Sequence, residues 1–213
     1  MTGAGGLVRA GAPALILASG SRTRAFMLRN AGVEFEVEPA ALDEAAVKQG
    51  LLAEGAPPHR IADTLAEMKA MRIARKRAGD RPGALVLGAD QVLDLDGALL
   101  DKPADRAAAA EHLRRLSGKR HHLVSAAVLL KDGQRIWECS DRASLVVRPL
   151  SDRFIEAYLD SAGDGALDSV GAYRLEGPGA HLFASVDGDF FTILGLPLLP
   201  LLDFLRGHGV LET

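Results

Sequence analysis

Ala14-Leu15-Ile16-Leu17-Ala18-Ser19-Gly20-Ser21-Arg22-Thr23-Arg24 is the stretch on which the fold turns. Its first five residues form a short, wholly apolar run, the pattern of a strand buried on both faces. Ser19-Gly20-Ser21 then reads as a turn with a helix N-cap. Residues 22–30 read as a helix that stops at Gly32. Together these make a βα unit. Outward from it, residues 34–38 alternate acidic and apolar side chains and suggest a strand. A longer helix begins near Pro58, with Ile61, Leu65, Met68 and Ile73 as its apolar stripe. Residues 84–89 form a second buried strand ending at Asp90, and residues 92–95 run on extended into an Asp96-Gly97 hairpin turn. An Ala-rich helix over 104–116 stops at Ser117-Gly118. Residues 123–130 and 136–147 read as strands joined by Lys131-Asp132-Gly133. Ser151 caps a helix reaching Leu159. Residues 182–186 read as a strand, Asp187-Gly188 as a turn and residues 190–194 as the partner strand, before a last helix over 197–206. With βα units early and hairpins late, the chain reads as a mixed α/β fold.

The composition agrees with one globular unit. The chain has 213 residues, 48% hydrophobic and 25% charged, which excludes a mainly disordered chain or a collagen-like repeat. Lys plus Arg number 25 and Asp plus Glu 28, for a formal charge of −3. That balance and an aromatic content of 5% argue against a nucleic-acid-binding protein, which needs a cationic surface and stacking platforms. Cys139 is the single cysteine, so an intrachain disulfide and a cysteine-rich metal site are both excluded. Residues 1–13 read as a flexible Gly- and Ala-rich tail without the apolar core of a leader peptide. Residues 14–208 read as one domain, and 209–213 as a C-terminal tail. The Gly-rich segment 163–179 lies inside that domain. No apolar run approaches the ~20 residues of a membrane span, so the cytoplasm is the expected compartment.

The common nucleotide signatures are missing: no Walker loop, no dinucleotide Gly fingerprint, no His-Glu-x-x-His. Any phosphate site is therefore built differently. Ser19 to Arg24 sits at a strand-to-helix junction, where free backbone N–H groups and the helix dipole favour phosphate. Two serine hydroxyls and the Arg22 or Arg24 fork add donors. The plain alternative is a capped helix with exposed arginines. Asp90, at a strand end, suits a metal ligand or general base, or equally an Asp in a turn. The hairpin returns Lys102 toward it, and an acid with a nearby lysine suits phosphoryl chemistry; a solvated lysine is the plain reading. Lys69 and Glu44 read locally as helix charges. His121 and His122 face opposite sides of a strand and share no metal. Cys139 reads as packing.

The ordered landmarks resemble the Maf family of nucleoside triphosphate pyrophosphatases, associated with bacterial septum formation. They are Leu17-Ala18-Ser19-Gly20-Ser21 with Arg24, Leu65-Ala66 with Lys69-Ala70, Gly88-Ala89-Asp90, Lys102-Pro103, Leu116-Ser117-Gly118, Gly171-Ala172-Tyr173, Gly188-Asp189-Phe190 and Gly195-Leu196-Pro197-Leu198. The resemblance implies an elongated mixed sheet flanked by helices, with two lobes around a deep cleft, as in ITPase-like folds. It implies hydrolysis between the α and β phosphates, dependent on a divalent cation (Mg²⁺, Mn²⁺ or Co²⁺), giving a nucleoside monophosphate and pyrophosphate. It assigns Asp90 and Lys102 to catalysis, Ser19, Arg24 and Lys69 to phosphate binding, and Asp90 and Glu44 to the metal. It also implies a homodimer. A nucleotide-binding regulator of cell division without turnover is the alternative from another class.

Three positions depart from the commonest family pattern. Thr23 replaces the first arginine of a pair, Gln91 follows the catalytic Asp where Thr is frequent, and Glu176 replaces a Gln. The resemblance links these three to base choice. The usual set goes with dTTP and UTP, and the Gln91 and Glu176 combination is similar to the 7-methyl-GTP branch. A carboxylate at Glu176 matches the N1–H and N2–H₂ edge of guanine and the positive charge of an N7-methylated base. The expected site gathers Arg24, Lys69 and Lys102, with the acidic surplus lying mainly elsewhere.

Overall fold

A computed structural model describes residues 7–213. Its centre is one seven-stranded sheet in the order β2-β1-β3-β5-β6-β7, with β4 paired to β3. β1 (Leu15–Leu17) is three buried residues, and its apolar run leads into α1 (Arg22–Asn30) through Ser21, whose side chain accepts from the Arg24 N–H. β2 (Glu36–Val37) and β3 (Leu85–Leu95) lie parallel to β1 on its two sides. Beyond β3 every pairing is antiparallel: β4 (Ala98–Leu100), β5 (Arg120–Lys131), β6 (Gln134–Val147) and β7 (Phe183–Asp187). The split between parallel and antiparallel pairing falls where the sequence passes from βα units to hairpins.

Period-two alternation sends one strand's side chains to two cores. Leu85, Leu87 and Ala89 of β3 join Leu15, Leu17 and Leu28 on one face, together with Leu198, Leu201 and Leu205 of α7 (Leu198–Gly207). Val86 and Val92 join Ile61, Leu65 and Ile73 of α3 (Pro58–Arg77) on the other. A third cluster forms at the far end of the sheet, beneath α4 (Arg106–Leu116) and α5 (Asp152–Ala162). Gly88 sits on the α3 face. A Cβ there would run into the Ala66 carbonyl oxygen and within 2.8 Å of the Ala70 N–H nitrogen, so this glycine lets α3 lie directly against the sheet.

The elements differ from the sequence reading in four places. The strand does not end at Asp90: β3 continues through it to Leu95, and Asp90 pairs with Ala126 in mid-sheet. A helix the pattern did not show, α2 (Glu44–Ala53), is capped by the Asp43 side chain and buries no residue, which is why no apolar stripe marks it. Residues 190–194 are no strand. They form a short helix, α6 (Phe190–Ile193), because Asp189 caps the Thr192 N–H, and β7 already takes the free edge of β6. The β-rich Phe-Phe-Thr-Ile composition points the other way, and the cap overrides it. The segments read as loose tails are tied together where they are described: Val8 bridges Leu211, and Arg9 and Glu212 N–H groups donate to Val210 and Leu7 carbonyls. Residues 1–6 of the expected tail lie outside the described residues. No helix among the described residues is long and apolar enough to cross a membrane.

Candidate active site

Four polar side chains from distant parts of the chain are buried around one point: Ser19, Arg24, Lys69 and Asp90. Asp90 stands on the α3 face of β3. Because Gly88 admits α3 so closely, Lys69 on that helix reaches it, with Nζ 2.6 Å from Asp90 Oδ1. The same ammonium lies 2.7 Å from Glu44 Oε1 on α2. One lysine thus links two carboxylates. Asp90 Oδ2 is buried and has no hydrogen-bond partner among the described residues. Burial would raise the Glu44 pKa, but the Lys69 hydrogen bond and the charges of Lys69, Lys48 and Arg24 outweigh it and hold Glu44 below its ordinary value.

Arg24 is held more tightly than an exposed-arginine reading allows. Its Nε donates to the Gly195 carbonyl at 2.7 Å, and its Nη1 donates to the Ala89 carbonyl at 2.8 Å and to Ser19 Oγ at 3.1 Å. Burial pulls its pKa down, opposed by the charges of Asp90 and Glu44. Only Nη2 is left without a protein acceptor among the described residues. Ser19 Oγ also accepts the Ser21 N–H at 3.3 Å, so its own proton remains available to a ligand. Arg22 turns away to an exposed pair with Asp168 at 2.7 Å.

These groups line a cavity of about 650 Å³, together with Gln91, Lys102, Lys48, Asp101 and Asp168. The β3–β4 register, Leu93 opposite Leu100, brings the chain back so that the exposed Lys102 borders the same space as Asp90. The expected excess of positive charge is absent. Arg24, Lys48, Lys69 and Lys102 face Glu44, Asp90, Asp101 and Asp168 around this wall, so the formal charges cancel. The cations were brought in on acidic partners, and with the lining at zero the chain's surplus of −3 lies outside the cavity, as expected. Lys48 and Asp101 were not singled out in the sequence. The spacing of Glu44 and Lys48, one helical turn apart, carries that signal only once α2 is recognised.

A metal fits the donor set in part. No cluster of three or more His, Cys, Asp or Glu side chains suited to a metal occurs among the described residues. Asp90 and Glu44 supply two carboxylates near one point, and Asp90 Oδ2 is an unspent acceptor. Two carboxylates completed by substrate phosphates is the usual Mg²⁺ arrangement.

Thr23, Gln91 and Glu176 border one small recess, which they share with Arg174. Arg174, unnoticed in the sequence, donates from Nε to Glu176 Oε1 at 3.3 Å and from Nη2 to Thr23 Oγ1 at 3.4 Å. The Gln91 amide nitrogen donates to Ser125 Oγ and to the Thr192 and Ile193 carbonyls, each at 3.0 Å. The two carbonyls stand at the end of α6, where that of Thr192 also accepts the Gly195 N–H at 3.0 Å and the Ser125 hydroxyl at 2.7 Å. The Gln91 oxygen is therefore the end left for a ligand. A larger cavity of about 1150 Å³ adjoins, bordered by Thr23, Arg174, Glu176 and the exposed rings of Phe26 and Phe190. The loop carrying Arg174 and Glu176 rests on a buried His121–Tyr173 pair, with Nε2 and the hydroxyl 2.6 Å apart. Cys139 is no nucleophile in waiting: burial, with Asp141 and Asp63 nearby, pushes its thiol pKa up.

The sequence profile described as "Maf-like protein" matches residues 14–208. A nucleoside triphosphate pyrophosphatase of Paramagnetospirillum magneticum is 53% identical over 196 residues, covering 92% of this chain and 99% of that one. A 7-methyl-GTP pyrophosphatase of Rhizobium meliloti is 50% identical over 201 residues, covering 94% and 99%. A nucleoside triphosphate pyrophosphatase of Caulobacter vibrioides is 50% identical over 197 residues, covering 92% and 96%.

Proposed function

The chain belongs to the Maf family, and on that premise we propose that it hydrolyses the α–β phosphoanhydride of a nucleoside triphosphate, releasing a monophosphate and pyrophosphate. The observation that carries the reading is Asp90: a carboxylate buried in mid-sheet at the cavity wall, with Oδ1 on Lys69 and Oδ2 without a partner among the described residues. In this reading Asp90 orients and deprotonates a water, which attacks the α-phosphorus and displaces pyrophosphate. Lys69, 2.6 Å from Oδ1, holds the side chain in place. Arg24 Nη2, Lys102 and the Ser19 hydroxyl meet the phosphate oxygens, and the charge growing on the leaving pyrophosphate strengthens those contacts in the transition state. Asp90 and Glu44, with the phosphates, would hold a divalent cation, which when bound supplies positive charge and Lewis acidity to the phosphates. The balanced charge of the cavity favours that need, since a polyphosphate entering it meets no surplus of protein cations.

The base reading favours guanine, and 7-methyl-GTP within it. Glu176 and the free oxygen of Gln91 are both acceptors, matching the donor edge of guanine, whereas a pyrimidine edge places two carbonyls around one N–H. The exposed Phe26 and Phe190 rings offer apolar faces to a planar, cationic base. By family resemblance the protein is proposed to work as a cytoplasmic homodimer. A panel of dTTP, UTP, CTP, GTP and 7-methyl-GTP with Mg²⁺ or Mn²⁺, read as phosphate released after coupling to inorganic pyrophosphatase, tests the whole reading. The highest kcat/KM is expected for 7-methyl-GTP. A strong preference for dTTP and UTP sinks the base assignment, and binding without pyrophosphate release identifies a non-catalytic regulator.

A further inference from the structure

We propose that Lys48 is an additional phosphate ligand of the cavity, held on Asp101 until a polyphosphate takes its place. The proposal rests on the reading of the cavity as a triphosphate site. Lys48 borders the same space as Lys69 and Asp90, and its side chain is 13% exposed. It follows Glu44 by one helical turn, so both point from α2 to the same side.

Exchange of partners is easier for Lys48 than for any other paired cation of the cavity. Lys69 is committed to Asp90, whose side chain is 6% exposed and would be left buried and uncompensated if the lysine moved. Asp101, the partner of Lys48 at 2.6 Å, is 63% exposed. Released, it is hydrated by water at little cost. Arg24 is fixed by backbone carbonyls. The carrier of Lys48 is also the helix most easily shifted. α2 buries no residue, and it is attached through the partly buried Val47 and Leu51 and through the Glu44–Lys69 and Lys48–Asp101 pairs. Burial would lower the Lys48 pKa, but the Asp101 hydrogen bond and the charges of Asp101, Asp90 and Glu44 outweigh it, so the ammonium stays charged. A phosphate oxygen that replaces Asp101 unmasks one positive charge in a cavity whose resting charges cancel.

The probe is inorganic tripolyphosphate with Mg²⁺, titrated calorimetrically into the full chain, so that base preference plays no part. Lys48→Met is expected to weaken binding about tenfold, the worth of one charge-assisted hydrogen bond. Lys48→Arg is expected to restore most of it. Asp101→Asn, which frees Lys48, is expected to bind as tightly as the unaltered protein or more tightly. If the pair is merely a clasp for α2, Lys48→Met and Asp101→Asn weaken binding alike, and the proposal fails. It also fails if Lys48→Met binds within about twofold of the unaltered chain. Absence of binding by the unaltered chain removes the triphosphate reading itself, which separates the two failures.

Discussion

Asp90 and His121 are both buried, at 4% and 0% exposure, on adjacent strands of one sheet, yet the protein surrounds them with opposite kinds of partner. Asp90 is given a cation at 2.6 Å and a second carboxylate across that cation. His121 is given a phenol, and burial with His122 beside it pushes its pKa down to about 4. Its partner Tyr173 is pushed well above its ordinary value by burial, with Tyr158 adding. Loss of solvation is the same physical problem in both places. At the cavity it is answered by pairing, so the group can act on a ligand. Under the Arg174–Glu176 loop it is answered by neutrality, so the group packs and positions its neighbours.

Breaking the charged side has the largest expected effect. Asp90→Asn should lower pyrophosphate release about a thousandfold while the chain still folds, since Lys69 retains Glu44. Near-unaltered kcat in that variant removes Asp90 from the chemistry. Lys69→Met should leave Asp90 buried beside Glu44 without a cation, destabilising the fold by about 3 kcal/mol in urea unfolding. Unchanged stability there shows that the Lys69 pairing is not what makes the burial of Asp90 tolerable.

The neutral side has a pH signature of opposite origin. His121 binds a proton less readily folded, at about 4, than unfolded, near the usual 6.5. Its contribution is fully present above pH 6.5 and is lost as pH falls toward 4, amounting to about 3 kcal/mol at most. His121→Gln, which can still hydrogen-bond Tyr173, should flatten the fall in stability across that window. An unaltered slope means His121 is not the proton acceptor. The smallest effect belongs to the edge of the cavity, where solvent reaches both partners of the Arg174–Glu176 pair. Glu176→Gln should reduce the preference for 7-methyl-GTP over UTP about tenfold in kcat/KM, with little change in stability. A constant ratio places base recognition elsewhere.

The order of strands and helices was legible because periodicity and capping act over a few residues. The βα start at Leu15, the Ser21 cap and the hairpins were all visible in this way. α2 was not, because a helix without a buried stripe leaves no apolar period. Residues 190–193 were misread, because the Asp189 cap overrides their strand-like composition. Ser19, Arg24, Lys69, Asp90 and Lys102 could be named from their types and order. What each is bonded to could not. Arg24 looked free and is anchored to Gly195 and Ala89; Lys69 looked like a surface charge and is buried on Asp90. The cavity looked positive and is balanced. Which side chains are available, and most of the local elements that carry them, follow from residue type and order alone. Their pairing was decided only by the tertiary structure, because Coulomb and desolvation energies depend on separations of a few ångströms between residues far apart in the chain. Gly88 illustrates that dependence: a single missing Cβ lets α3 approach the sheet closely enough for Lys69 to meet Asp90.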